Sequence, residues 1–255
     1  MKLRPNRMRD LLREDRPLIG GHAIFSDPAY VEFLAYCGFD WIFIDGEHLG
    51  TSVQGCYDLV RAADAVGMAS VVRVSTKNVH SHIAFAETGV NALMIPHLIT
   101  AEDAVDLKAS LRFPPMGKRG IAGNTRTSNY GLGHTAREYL EDVDTAIMAA
   151  AMIEEESAVH NLPAIIATGD VELYSIGTSD LAGSMGLSGQ TTHPRVTEAY
   201  ELAVKTLADA KQIFSAPAAT PEAAQKAIAA GARLILASTP QIIGNRLTEF
   251  AAACR

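Results

Sequence analysis

Cysteine is scarce in this chain. Cys37, Cys56 and Cys254 stand far apart and are odd in number. They fit no disulfide framework and no zinc pattern, and they imply a reducing, cytoplasmic setting. No His-x-x-x-His or Cys-x-x-Cys occurs, which disfavours a zinc centre. Basic charge is not in excess: net charge is −7 and the pI about 5.6, so there is no electrostatic footprint for nucleic acid. No apolar stretch approaches the length of a membrane span. The opening "MKLRPNRMRDLLREDRPL" lacks the apolar core of a signal peptide, and reads as a short, solvated N-terminal helix. Nucleophilic motifs are missing too. There is no Gly-x-Ser-x-Gly elbow, and no Lys lies inside an apolar run, which weakens a Schiff-base mechanism.

What is present is hydrophobic and periodic. The 255 residues are 48% hydrophobic and 20% charged, enough to bury a sizeable core. Short apolar runs, among them "WIFIDGEH", "ASVVRVS", "NALMIPHL" and "RLILAST", alternate with amphipathic stretches from end to end. Continuous rather than alternating Val, Ile and Leu mark strands of a parallel sheet buried on both faces. About eight β/α units in this length give a (β/α)8 TIM barrel, read as one domain over residues 1–255. A doubly wound sheet is the runner-up, but no Gly-x-Gly-x-x-Gly follows the first strand. The Gly-rich, basic stretch from Phe113 to Thr135 is too long for an ordinary connection, and such a loop is usually functional or disordered.

In a barrel, function sits at the C-terminal ends of strands. Polar residues fall there repeatedly: Asp45, Glu47 and His48, then Arg73 inside "VVRV", then Glu154 and Glu155, then Asp180 after "IGTS". Strand parity puts Asp45 with Trp41 and Phe43, and Glu154 with Met152 and Ala150. Taken singly, Glu154 and Asp180 read equally well as acids in the first turn of a helix. A guanidinium in a buried strand needs anionic partners, and Asp45 and Glu154 are the candidates for Arg73. An Asp-x-x-His pair beside it points to acid–base chemistry. Two carboxylates, Glu154 and Asp180, with no soft ligands nearby suit Mg²⁺ or Mn²⁺. His97 ends the fourth strand and is placed to line a pocket. His80 and His82 read as solvent-facing, and His160 and His193 as helical or capping.

These residues, in this order, resemble the HpcH/HpaI family of metal-dependent pyruvate aldolases. The resemblance is carried by "FDWIFIDGEH" (39–48), "VVRV" (71–74), "NALMIPHL" (91–98), "FPPMGKRG" (113–120), "MIEEESAVHNLPAI" (152–165) and "IGTSDLAGSMGLSGQTTHP" (176–194). It implies an oligomeric barrel that makes or breaks a carbon–carbon bond at the methyl carbon of pyruvate. It implies that Glu154 and Asp180 hold a divalent cation (Mg²⁺ or Mn²⁺, with Co²⁺ a third candidate) that pyruvate chelates. The loop Gly177, Thr178, Ser179 and Asp180 would bind the pyruvate carboxylate, and Met152 would face the substrate. His48 would be the acid/base and Arg73 would stabilise the enolate oxygen. Asp45 would support His48, and Glu87 would act on the histidine across a subunit interface.

The chain departs from that pattern at two wall positions: Met152, where many members have Gln, and His22, where some have Trp. Both put the acceptor aldehyde in question. The basic loop, with Lys118, Arg119 and Arg126, either reaches an anionic substrate tail or forms a solvated or interface segment. The reading is therefore a cytoplasmic class II aldolase that cleaves 4-hydroxy-2-oxo acids to pyruvate and an aldehyde. It would work as a homo-oligomer, a trimer or hexamer, with no nucleic-acid or membrane partner. The rivals are an oxaloacetate decarboxylase or other enolate-condensing enzyme on the same scaffold, and a barrel that binds without turnover.

Overall fold

A computed structural model describes residues 5–143 and 146–255. Eight parallel strands close into a barrel in chain order. They are β1 (Leu18–His22), β2 (Trp41–Asp45), β3 (Ala69–Arg73), β4 (Ala92–Ile95), β5 (Met148–Ile153), β6 (Leu173–Ile176), β7 (Phe214–Ala218) and β8 (Leu234–Ala237). The expected (β/α)8 architecture is present.

The parity of each strand divides two cores. Trp41, Phe43, Val71, Met94, Ala150, Met152 and Leu236 pack inside the barrel. Ile42, Ile44, Val72, Leu93, Ala149 and Ile235 pack outward against the helices. The lone tryptophan needs room: a Cβ on Gly20 would lie 2.1 Å from Trp41 Cε2, so β1 carries glycine at that height.

Helices α1 (Arg7–Leu12), α2 (Pro28–Tyr36), α3 (Val53–Ala65), α4 (Val79–Ala86), α5 (Ala101–Leu111) and α6 (Ala136–Val143) are followed by α7 (Glu156–Ala167), α8 (Thr178–Ser184), α9 (Pro194–Asp209), α10 (Pro221–Ala229) and α11 (Thr239–Ala253). Their starts follow local capping chemistry. Thr220 accepts from the Ala223 N–H with Pro221 behind it, and Thr100 and Asp103 form a reciprocal capping box.

Two expectations are corrected, and one open reading is narrowed. Helix α1 is not a solvated appendage: Met8 and Leu11 are buried in the inner cluster, and Asn6 donates to the carbonyls of Asn91 (2.7 Å) and Ala146 (2.8 Å). The helix therefore plugs the end of the barrel where the strands begin. His82 is buried, not solvent-facing, with its ring nitrogens 2.8 Å from Ser110 Oγ and 3.0 Å from the Thr76 carbonyl, and burial lowers its pKa. The basic loop, read as either reaching an anionic substrate tail or forming a solvated or interface segment, is tied by ion pairs to α3, α5 and the end of α4. Arg119 is fully buried against Glu87, Arg126 pairs with Asp64 and donates to the Thr88 carbonyl at 2.7 Å, and Lys118 pairs with Asp106. The loop also contains a 3-10 turn over Arg126–Gly131.

Candidate active site

At the C-terminal end of the strands lies a cavity of about 260 Å³, bordered by His22, His48, Arg73, Met152, Glu154 and the segment Gly177–Asp180. Larger clefts of about 600 and 520 Å³ run between outer helices, α10 with α11 and α9 with α10. The small cavity is where the chemistry-bearing side chains converge.

One wall is an ion network. Parallel pairing sets Asp45 of β2 opposite Arg73 of β3. Arg73 Nη2 donates to Asp45 Oδ2 at 2.6 Å and Nε to Oδ1 at 3.2 Å, a fork-to-carboxylate fit. Asp45 Oδ1 also accepts from the backbone N–H groups of Glu47 (2.9 Å) and His48 (3.2 Å). Burial alone raises the Asp45 carboxyl, but the Arg73 guanidinium and those two amides outweigh it and hold the pKa below its usual value. Arg73 Nη1 lies 3.4 Å from Met152 Sδ and 3.1 Å from Glu47 Oε2, with the guanidinium over the Phe43 ring. Asp45 thus supports His48 through the backbone, while the His48 ring, more than half exposed, has its Nε2 3.8 Å from Glu47 Oε2.

The opposite wall is unbalanced. Glu154, at the end of β5, is 1% exposed. Its Oε1 accepts from the His97 N–H at 2.7 Å, and its Oε2 is buried with no hydrogen-bond partner. A Cβ at Gly177 would sit 2.6 Å from that oxygen, so glycine keeps the space beside it open. Burial raises the Glu154 pKa, and the charge of Asp180 raises it further. His97 serves this wall through its backbone N–H, and its ring stands close by, with Nδ1 3.6 Å from Glu154 Oε1. It adopts φ of +50°, uncommon for a residue with a Cβ, and its Nδ1 lies 3.0 Å from Glu155 Oε1. Among the described residues no three His, Cys, Asp or Glu side chains form a metal-type cluster. The protein offers the pair Glu154 and Asp180. A carboxylate oxygen that is buried, unpartnered and faces a space kept open by glycine fits a hard divalent cation, with its other positions open to oxygen ligands.

The structure thus brings together His48, Arg73, Asp45, Met152, Glu154, Gly177, Thr178, Ser179 and Asp180. It does not bring Glu87 to this cavity. Glu87 caps the end of α4, where its Oε1 accepts from Arg119 Nη2 (2.5 Å) and Nε (3.2 Å) and its Oε2 from Thr127 Oγ1 (2.7 Å). The sequence places Glu47 among the polar residues at the end of β2 but assigns it no role. Pro217 and Leu236, which complete an apolar wall with Phe43, carry no sequence signal. His22 stands edge-on to Phe43 with ring centroids 5.2 Å apart, and burial lowers its pKa, favouring the neutral ring.

Known proteins resemble this chain in sequence and in fold. Residues 22–238 match a family model described as HpcH/HpaI aldolase/citrate lyase. The chain is 32% identical over 197 residues to 5-keto-4-deoxy-D-glucarate aldolase of Shigella sonnei (strain Ss046), covering 77% of this chain and 76% of that one. It superposes with a TM-score of 0.89 on an HpcH/HpaI aldolase/citrate lyase family protein from Burkholderia cenocepacia J2315, 29% identical, over 97% of this chain and 98% of the other. An HpcH/HpaI aldolase from Desulfitobacterium hafniense DCB-2 shares the fold, with a TM-score of 0.86 at 21% identity over 99% and 97% of the two chains.

Proposed function

Because the chain belongs to the HpcH/HpaI aldolase/citrate lyase family, and is therefore a carbon–carbon lyase, we propose that the cavity runs a metal-dependent aldol cleavage of 4-hydroxy-2-oxo acids to pyruvate and an aldehyde. The observation that carries this reading is the Glu154 carboxylate. It is buried with one oxygen unpartnered, beside Asp180 and across the cavity from a guanidinium. A barrel evolved only to pack would pair or neutralise such a group.

Glu154 and Asp180 would hold the divalent cation, with Mg²⁺ or Mn²⁺ preferred for an all-oxygen donor set. When bound, such a cation supplies Lewis-acid polarisation of a keto oxygen. The remaining work belongs to the chain. Gly177–Asp180 line the place for the pyruvate carboxylate. Asp45 fixes Arg73 through Nε and Nη2, and Nη1 would be the donor to the oxygen on which enolate charge develops, a stabilisation that needs no reorganisation at the moment of reaction. The His48 ring takes and returns the proton. Met152, His22 and Phe43 border the region beyond pyruvate and would select the aldehyde.

The assembly belongs to the same proposal. Helix α11 has only Thr239 buried and leaves Leu247 and Phe250 65% and 72% exposed, an apolar stripe suited to a second copy of the chain. We assign Glu87 a role toward a neighbouring copy's site only within such an oligomer. No described helix is long and apolar enough to cross a membrane, and a cytoplasmic location is part of this reading.

The test is exchange of the pyruvate methyl protons in heavy water. Exchange should require Mg²⁺ or Mn²⁺, stop on chelation, and fall on the order of 10²–10⁴-fold in His48→Ala. Undiminished exchange after exhaustive chelation, or a lysine adduct trapped by borohydride, would sink the metal reading. A well-folded, metal-loaded protein that exchanges no protons would favour the non-catalytic barrel.

A further inference from the structure

The ion network at the end of β2 contains one carboxylate more than the guanidinium needs. Asp45 already satisfies Arg73 with two hydrogen bonds. Glu47 adds a second carboxylate, 3.1 Å from Arg73 Nη1, yet its Oε2 is buried and has no hydrogen-bond partner. That oxygen also faces the His48 ring, 3.8 Å from Nε2. A surplus buried carboxylate costs desolvation and persists where a positive charge appears beside it.

We propose that Glu47 is a positioning residue for the proton-transfer step, holding the His48 ring and stabilising the cation that forms when the ring takes a proton. The proposal rests on the aldolase reading above. The step balances simply. A methyl C–H bond of pyruvate breaks, its proton goes to the imidazole, and its electron pair moves into the enolate. The ring gains the positive charge 3.8 Å from Glu47 Oε2, and returns the proton in the reverse step. Glu47 itself neither gains nor loses a proton. Asp45 cannot do this work, because its two oxygens are committed to Arg73 and to backbone amides. Glu87 cannot do it within one chain, because Arg119 and Thr127 hold both its oxygens.

The other titratable groups around the ring are few. Arg73 and Asp45 stand beside it on the β2–β3 wall, His22 reaches in from β1, and Glu154 and Asp180 lie across the cavity. Burial lowers the His22 pKa, so that ring adds little charge at neutral pH. The Asp45–Arg73 pair is internally neutral. Glu47, whose Oε2 lies 3.1 Å from Arg73 Nη1 and 3.8 Å from His48 Nε2, is therefore the anion nearest the His48 ring.

The experiment uses the full chain carrying Glu47→Gln, which keeps size and polarity and removes charge. The first readout needs no substrate: the pH dependence of His48 carbethoxylation by diethyl pyrocarbonate, followed by peptide mass spectrometry. The midpoint should move to lower pH in Glu47→Gln, because the ring loses its nearest anion. The second readout is pyruvate proton exchange with Mn²⁺. Its kcat should fall about tenfold while KM for pyruvate stays within about twofold, and the acidic limb of its pH profile should shift with the carbethoxylation midpoint. An unmoved midpoint overturns the proposal. So does a loss confined to KM, which would place the role of Glu47 on Arg73 alone. If Glu47→Gln does not fold, Glu47→Asp decides: a charge set back by one methylene should give a smaller shift in the same direction, and no shift overturns the assignment. A parent protein that exchanges no pyruvate protons, while the midpoint still moves, would fail the aldolase reading and leave the Glu47–His48 pairing intact.

Discussion

The ends of β2 and β5 face each other across one small cavity and solve opposite electrostatic problems. At β2 the charges close on themselves: Asp45 and Glu47 surround Arg73, and backbone amides take up the remaining acceptor capacity of Asp45. At β5 a carboxylate at 1% exposure keeps one oxygen without a partner, with a second acid nearby. The first arrangement pairs Arg73 and fixes a donor in space. The second is costly alone and becomes favourable only when positive charge arrives. On the proposed reading, one cavity thus holds a pre-set cation from the chain and a place for a cation from outside, as enolate chemistry requires.

The largest test of that contrast is Glu154→Gln. It removes half of the paired carboxylate set, so affinity for Mn²⁺ in titration calorimetry should fall by more than the 10–100-fold typical of losing an outer-shell partner. The metal-free variant should melt at or above the parent temperature, because a buried, unpartnered charge is gone. A variant that binds Mn²⁺ as the parent does would end the contrast, since β5 would then hold no cation.

Arg73→Lys probes the closed side. Lysine keeps the charge but cannot reproduce the fork that meets both oxygens of Asp45. The kcat/KM for cleavage should fall about 10²–10³-fold, the scale of losing one oxyanion donor, while pyruvate affinity changes much less. Near-parent turnover in a folded variant would show that positive charge alone suffices.

The smallest effect is on stability against acid. The folded-state pKa of Asp45 is depressed, so its contribution is fully present above the unfolded value of about 3.9 and is lost as pH falls through the lower folded value. Asp45→Asn should therefore destabilise the protein at neutral pH, by about 3 kcal/mol if it behaves as a broken buried pair. The difference from the parent should shrink below about pH 4. Urea melts at pH 7 and pH 3 measure it. A difference that is the same at both values would mean that packing, not charge, is lost.

Much of this site was readable before the fold. Strand parity placed Glu154 with Met152 and Ala150, and Asp45 with Trp41 and Phe43; all four apolar partners do line the barrel interior. Glu47 sat in plain view in "DGEH", yet nothing local separates a carboxylate that meets a histidine ring from one that meets water. Helix α1 was misread because its buried stripe is only Met8 and Leu11, too short to distinguish from a solvated turn. The role of Arg119 and Arg126 stayed open because their partners, Glu87 and Asp64, lie 32 and 62 residues away in the chain.

By itself, then, the sequence determined the barrel and the end of it that carries chemistry. Alternation along a strand and capping at a helix start are set within a few residues, where local sterics and hydrogen bonding decide. Which charges would be spent and which left open was decided only by tertiary structure. Register sets Asp45 opposite Arg73. The His97 N–H comes to Glu154 Oε1 across 57 residues, and Gly177 leaves the space beside Oε2. Ion pairing and burial depend on distances of a few ångströms between remote segments, and closure of the barrel fixes those distances.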